Sequence, residues 1–156
     1  HRFGTVEVRI CDAQTEAWQS LAISSLTVGL IAHLTQLYDE GRPLPVLATR
    51  YVEENLWRAI RHGLDGRLVD WAAGEESSAG DAVRRLLELA APFADAIGLN
   101  PHLEGVERML RDGNGAQRQT RAHREGRTLR EVFAGTVEAA RRSSLAPTRD
   151  DQGGAV

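Results

Sequence analysis

Apolar and polar positions alternate near the start of the chain, where Val6, Val8 and Ile10 are separated by polar residues. In an extended backbone these three side chains share one face, and the residues between them share the other. The pattern therefore predicts a strand over residues 4–11. A buried single strand cannot satisfy its own backbone hydrogen-bonding groups, so we expect it to join a sheet made elsewhere.

Helical periodicity dominates the chain after this segment. From about Glu16 to Asp39 apolar residues almost encircle the axis, which predicts a helix sandwiched inside the protein. Polar residues interrupt its most apolar run, so we interpret it as a buried helix and not as a membrane span. A second amphipathic helix is predicted from about Ala48 to His62, with Gly63 as its stop. Its predicted inward positions are Val52, Leu56, Ala59 and Ile60.

Capping signals delimit three further helices. They are predicted from residue 81 to Pro92, from the Asn100-Pro101 pair to Gly113, and from a capping box at Thr128 to about Arg142. The small, acidic and glycine-rich stretch 72–80 is predicted to be a surface loop. Residues 144–156 lack apolar periodicity and are predicted to be a flexible tail.

The composition is that of one ordinary globular domain. The chain has 156 residues, 42% hydrophobic residues and a formal net charge of −3, which is a usual domain size. Its one cysteine, Cys11, excludes an internal disulfide or a cysteine-based zinc site and indicates reducing surroundings. No secretory signal is visible, so a cytoplasmic location is expected. The abrupt start favours the C-terminal part of a longer protein.

Three single residues have simpler interpretations. We expect Cys11 to be a buried small side chain, since no partner base is evident. His33 lies in an apolar helix and is predicted to be a core histidine. The three tryptophans are predicted to pack against other side chains. They are Trp18, Trp57 and Trp71.

Glu7 and Arg9 lie on the polar face of the predicted strand. A carboxylate and a guanidinium two residues apart suit a hard cation held beside a phosphate. An ordinary solvated face with a weak surface ion pair explains the same spacing.

The second helix carries a polar stripe. Asn55, Arg58 and His62 fall at helical offsets, and Glu54 and Arg61 extend the same surface. Two arginines and an amide could grip an anionic ligand by bidentate hydrogen bonds. A solvent-facing stripe of ion pairs is the alternative.

The C-terminal region is basic. Residues 108–142 contain nine arginines and four acidic residues, which could attract phosphate or RNA. Phe133 is the one aromatic residue there, so a base-stacking surface is missing and nucleic acid is disfavoured. The run Gly113 to Ala116 follows a helix and lacks a nearby lysine, unlike a usual phosphate-binding loop.

Two long motifs carry a resemblance to a known family. The run from Phe3 to Asp12 and the run from Glu54 to Gly66 resemble the C-terminal half of the carboxylate–amine ligases, the type 2 glutamate–cysteine ligase family. The shorter runs Gly113 to Gln119 and Thr128 to Glu131 are also similar to the end of that family. The similarity extends to about Arg142.

The resemblance implies an α+β fold. Residues 1–143 would form the mostly helical C-terminal part of a glutamine-synthetase-like catalytic domain, with the N-terminal strand in a larger antiparallel sheet. Such ligases phosphorylate a carboxylate with Mg²⁺ and ATP, and an amine then displaces phosphate from the acyl phosphate. Glutamate and cysteine, or another amine, are the implied substrates, and the N-terminal half of the enzyme is the implied partner. A homo-oligomer is compatible with this view, and no membrane partner is expected.

Individual roles follow from the same resemblance. Glu7 would be a magnesium ligand and Arg9 a catalytic contact to phosphate or carboxylate, whereas Asn55, Arg58 and Arg61 would contact substrate or nucleotide. Departures from the family pattern leave the amine acceptor open. They are Leu56, Ile60 and His62. The alternative function is a non-catalytic module whose arginine-rich C-terminal helices bind a protein or RNA.

Overall fold

The computed structural model describes residues 4–44 and 46–145, and six helices and one hairpin make up its regular structure. The helices are α1 (Ala17–Asp39), α2 (Thr49–His62), α3 (Ala79–Ala96), α4 (Asn100–Asp112), α5 (Gly115–Arg124) and α6 (Leu129–Leu145). A short 3-10 turn, Gly63–Asp65, follows α2, and the strands are β1 (Arg67–Asp70) and β2 (Glu75–Ser78). The α+β class is confirmed, although the sheet is not the one expected.

Capping residues place the helix ends close to where the sequence predicts them. Gly63 and Gly113 end α2 and α4 with φ of 56° and 92°, a conformation that favours glycine. The capping box before α6 is also formed. The Thr128 N–H donates to Glu131 Oε2 at 2.8 Å, and the Glu131 N–H donates to Thr128 Oγ1 at 3.3 Å.

Three of the helices differ from the prediction, two of them in their bounds and one because it was not predicted. Helix α3 begins at Ala79 and continues past Pro92 to Ala96, because an exposed proline removes only one backbone donor from the helix. Helix α5 was not predicted, since it is short and polar, with no buried residue. Helix α6 runs to Leu145, two residues into the predicted tail, and residues 146–156 lie outside the described part of the chain.

A hairpin replaces the predicted loop at 72–80. β1 and β2 pair antiparallel from Arg67 opposite Ser78 to Asp70 opposite Glu75. Asp70 Oδ1 accepts two backbone N–H groups of the turn, at 3.0 and 3.1 Å, and Gly74 supplies a φ of 72°. The prediction failed because the polar second strand shows no apolar alternation.

The strand predicted over residues 4–11 is absent, and this prediction was wrong for the structure. Residues 5–14 have no regular secondary structure, and no described strand pairs with them. A strand needs a partner to satisfy its backbone groups, so the apolar alternation alone does not form one. Val6 and Ile10 are 74% and 80% exposed. Cys11 is also exposed, so its predicted burial was wrong.

The core forms where α1 crosses α3 and α4. Ala22, Val106 and Met109 are buried there, and Trp18 and Leu87 are among the side chains packed against them. Two glycines permit the close approach. A Cβ on Gly29 of α1 would lie 2.8 Å from both Cβ and O of Ala90, and one on Gly105 would lie 2.8 Å from the Ala22 Cβ. At the start of α1, the Ala17 N–H donates to Ser143 Oγ of α6 at 2.8 Å.

Two expected faces are not covered within the described residues. Helix α1 packs on one side only, which corrects the expectation of a sandwiched helix; its exposed apolar residues are Leu21, Val28, Leu34 and Tyr38. Helix α2 has no buried residue, so the predicted inward positions Val52, Leu56, Ala59 and Ile60 are exposed. The predicted apolar stripes exist on both helices, but no described residues cover them.

Helix α1 also satisfies the length and hydropathy criteria for a membrane span, with a mean hydropathy of 1.4 over 18 residues. Core helices of soluble proteins pass the same test. The polar residues Gln19 and Ser25 are buried on its packed side.

Candidate active-site residues

Glu7 and Arg9 form an ion pair on the exposed N-terminal segment. Arg9 Nη2 lies 2.6 Å from Glu7 Oε2, and the side chains of Arg9 and Glu7 are 78% and 67% exposed, respectively. Such a solvated pair contributes little to stability. The structure therefore brings these two residues together, but no described hydrogen bond or ion pair links them to the candidate residues of α2.

Asn55 fastens α2 to the hairpin. Its Nδ2 donates to the Val69 carbonyl at 2.8 Å, and its Oδ1 accepts the Val69 N–H at 2.9 Å. Both the donor and the acceptor of the Asn55 amide are therefore bonded to β1, which is a structural role. The contact to substrate or nucleotide that the resemblance implies for Asn55 stays a prediction.

Arg58 is held between two carboxylates. Its Nε lies 2.7 Å from Glu54 Oε1, and its Nη1 lies 2.7 Å from Glu76 Oε1 on β2. Arg67 approaches the other oxygen of Glu76 at 3.4 Å. The hydrogen bond that Arg58 donates holds the pKa of Glu76 below its usual range, and the bonds that Arg58 donates to Glu54 and to Glu76 raise its own pKa. This is the ion-paired stripe that the sequence left as an alternative.

Arg61 lies apart from Arg58. It is exposed and lines a cleft between the end of α2 and α5, together with His62 and Arg121. The described residues thus divide the predicted site into three places: the N-terminal segment, the α2–hairpin contact and this cleft.

The aromatic residues near these places have different surroundings. Trp71 stacks on Tyr51 with ring centroids 4.4 Å apart, and the Arg108 guanidinium lies 4.3 Å from the Trp18 centroid. Both tryptophans are half-buried, as predicted. Trp57 is 58% exposed, so its predicted packing role was wrong; it meets only the edge of His62 among described rings. His33 is half-buried against Phe93, consistent with a packing role.

The described residues do not build a complete magnesium site. No group of three or more histidine, cysteine or acidic side chains is placed to hold a metal ion in residues 4–44 and 46–145. Glu7 is a single carboxylate, already paired with Arg9. Because Mg²⁺ takes six oxygen ligands, often one or two carboxylates with waters and phosphates, Glu7 alone supplies only part of such a site.

Comparison with known sequences decides the family. The profile described as glutamate–cysteine ligase family 2 matches residues 1–143. The chain belongs to this family. Family membership supports a ligase-type function, and it gives no support to the alternative of a non-catalytic module.

Individual relatives of this ligase-family chain agree with the assignment. It is 32% identical over 130 residues to "Putative glutamate–cysteine ligase 2" of Herpetosiphon aurantiacus, covering 83% of this chain and 34% of that protein. A protein of the same name from Sorangium cellulosum is 34% identical over 136 residues, with 87% and 36% coverage. A Corynebacterium efficiens relative, whose name adds the suffix 2-1, is 36% identical over 122 residues, with 78% and 32% coverage. The chain spans about a third of the length of these relatives.

Sequence reasoning missed Glu76 and the place of two arginines of α5. Glu76 was assigned to a loop, although it holds both Arg58 and Arg67. Arg121 and Arg124 were expected to bind a protein or RNA under the alternative function, and their grouping with Arg61 in the cleft was not predicted. Their spacing of three residues is a helical signal, but only the fold shows which surface they share.

Proposed function

We propose that this chain is the helical C-terminal part of an ATP-dependent carboxylate–amine ligase with a glutamine-synthetase-like fold. The observation that carries the proposal is the family match over residues 1–143. In such a reaction ATP phosphorylates a carboxylate, and an amine then attacks the acyl phosphate and releases phosphate. Glutamate and cysteine are the first substrates to test, and the amine acceptor is open.

The uncovered apolar faces support a larger catalytic domain. Ile10 of the N-terminal segment and Ile60 of α2 are 80% and 77% exposed, and burying such side chains is favourable. We propose that these faces pack against the part of the ligase domain that the relatives have and this chain does not span. On this view residues 4–11 become a strand once a sheet edge satisfies their backbone groups.

Within that complete site, we propose roles for the polar residues. Glu7 would supply one carboxylate to a magnesium ion that neutralises phosphate charge, with further ligands from outside this chain. Arg9 would then contact the transferred phosphoryl group or the substrate carboxylate. Asn55, Arg58 and Arg61 would act near substrate or nucleotide, with Asn55 and Arg58 also holding the hairpin against α2.

The test is amino-acid-dependent release of ADP from Mg·ATP by the complete protein that carries this chain. We expect ADP release with glutamate and an amine, and Glu7→Gln is expected to lower its rate by about 100-fold or more. Glu53→Gln is the matched control, because Glu53 is exposed on α2 and has no described ion pair.

The outcomes separate the two claims. A folded complete protein that releases no ADP with any amino acid would show that the ligase proposal is wrong. An active protein in which Glu7→Gln turns over as fast as Glu53→Gln would remove the metal-ligand role and leave the ligase proposal standing.

A further inference from the structure

Three arginines line the cleft between the end of α2 and α5. Arg61 lies in the last turn of α2, and Arg121 and Arg124 lie in the last turn of α5. The cleft has a volume of about 590 Å³. Pockets that hold small molecules commonly have about 300–1,000 Å³, so the space suits a small ligand. We call it the arginine cleft.

The guanidinium groups of the arginine cleft keep most of their donors unused. None of the three has a carboxylate oxygen within 4.0 Å among the described residues. Arg121 donates only to the Asp112 carbonyl, at 3.2 Å. Elsewhere in the described chain nine arginines pair with carboxylates and five do not, so the cleft gathers three of the eight described arginines that lack a carboxylate partner. Those nine are Arg9, Arg42, Arg58, Arg67, Arg84, Arg108, Arg111, Arg118 and Arg142.

Hydrogen bonds hold the two walls of the cleft together. Gln117 Nε2 donates to Asp65 Oδ1 at 2.7 Å, which joins α5 to the turn that follows α2. The same amide accepts the Asn114 N–H through Oε1 at 3.0 Å, and the Gln117 N–H donates to Asn114 Oδ1 at 2.9 Å. The walls are therefore fixed before any ligand arrives, which lowers the entropy cost of binding.

The charges that line the cleft favour an anion. Three guanidiniums line the cleft against two carboxylates, those of Asp65 and Glu125, and Asp65 already accepts a hydrogen bond from Gln117. The planar fork of a guanidinium binds two oxygens of one phosphate group. The Thr120 hydroxyl lines the same space and can donate to a third oxygen.

A second arginine-lined cleft, between the start of α1 and α6, differs in this respect. Its Arg118 lies 3.1 Å from Glu16, and its Arg142 lies 3.3 Å from Glu138. Acidic partners already occupy these two guanidiniums, so that cleft offers an anion one arginine without a described ion pair, Arg127, where the arginine cleft offers three.

We propose that the arginine cleft binds the phosphate groups of a small phosphorylated ligand through Arg61, Arg121 and Arg124. The ligand chemistry could come from a nucleotide or from a free polyphosphate, and the probes below distinguish these sources. Because binding is measured without turnover, the proposal does not depend on the ligase activity.

The experiment is a calorimetric titration of the 156-residue chain with tripolyphosphate, ATP, adenosine and glutamate. We expect tripolyphosphate and ATP to bind and adenosine to show no binding. The double variant Arg121→Gln/Arg124→Gln is expected to weaken tripolyphosphate binding by about tenfold or more, because two of the three guanidiniums that would donate charged hydrogen bonds to the phosphates are removed. Arg130→Gln on α6 is the matched control, because Arg130 is exposed, has no described ion pair and lies outside the cleft lining.

Each outcome bears on the proposal. Equal affinities for ATP and tripolyphosphate support a site for the polyphosphate alone, and tighter ATP binding supports a nucleotide. Tripolyphosphate binding that the double variant leaves unchanged, or no binding at all, would overturn the proposal, as would glutamate binding as tightly as tripolyphosphate. Arg Nε–Hε signals of the unmodified chain, followed by NMR during the titration, give a readout that does not depend on how the variants fold.

Discussion

At the scale of single residues, Asn55 shows how one side chain replaces a missing backbone partner. The half-buried Val69 N–H and carbonyl are both bonded by its amide, at 2.9 and 2.8 Å. An amide that donates and accepts at once imitates a neighbouring strand, so β1 is supported on the side away from β2. Asparagine is suited to this task because its side chain is short and carries both functions.

The removal of this amide is the first stability prediction. Asn55→Ala leaves two partly buried backbone groups without partners and is expected to lower the free energy of unfolding by about 1–3 kcal/mol. Asn100→Ala is the control, because its amide makes one exposed bond of 3.3 Å to Asp95. Urea unfolding curves of both variants check this. Equal losses for the two variants would mean that the Asn55 bonds add nothing beyond those of a surface amide.

At the scale of elements, the crossing of α1 over α3 depends on the absence of a side chain. Gly29→Ala would place a methyl group 2.8 Å from the Ala90 carbonyl oxygen, which belongs to backbone and cannot turn away. We expect α1 and α3 to separate, with a loss of about 1–3 kcal/mol in the free energy of unfolding.

Gly135→Ala in α6 provides a comparison of opposite sign. Gly135 is exposed and nothing lies within 4 Å of a Cβ built there. The substitution is expected to stabilise by about 0.5–1 kcal/mol, since alanine has the higher helix propensity. Thermal unfolding of the two variants measures both effects. A Gly29→Ala variant as stable as the unchanged chain would contradict the close crossing.

The elements also show what the sequence can predict. Helices α1, α2, α4 and α6 followed from apolar periodicity and capping residues, because both signals lie within a few residues of chain. The hairpin did not, since Glu76 and Val69 are held by α2 side chains 18 and 14 residues away. The prediction of a strand over residues 4–11 was wrong for a related reason. Alternation shows which side chains share a face, but it does not show which strand would pair with the segment.

The candidate site was predicted in part. Glu7 and Arg9 were expected side by side, and the structure pairs them, but a two-residue spacing cannot say what else surrounds them. For Arg58 the spacing allowed a ligand contact or an ion pair, and the structure shows the ion pairs with Glu54 and Glu76. The grouping of Arg61 with two arginines of α5 depends on how distant segments pack, which no local pattern records.

At the scale of the whole molecule, the uncovered face of α2 leads to a prediction that depends on context. In the isolated chain, Ile60→Gln is expected to change the free energy of unfolding by less than about 0.5 kcal/mol, because Ile60 is 77% exposed. In the complete protein that carries this chain, the same change is expected to cost about 1–3 kcal/mol, since the proposed packing of α2 would bury a polar amide.

Chemical denaturation of both proteins, each with and without the substitution, provides the measurement. Val46→Gln is the matched control, because Val46 is 85% exposed and lies outside α2. If Ile60→Gln has the same small effect in both proteins, α2 does not face the remainder of the domain.

The bond between Ala17 and Ser143 has a topological consequence. It joins the first turn of α1 to the last turns of α6, 126 residues later. The helical body, from α1 to α6, therefore begins and ends at neighbouring points. A polypeptide entering α1 and one leaving α6 pass through the same corner of the molecule. Neighbouring ends of this kind tolerate circular permutation and domain insertion. The helical body could therefore be carried as an inserted module within a longer chain, with its order of helices unchanged.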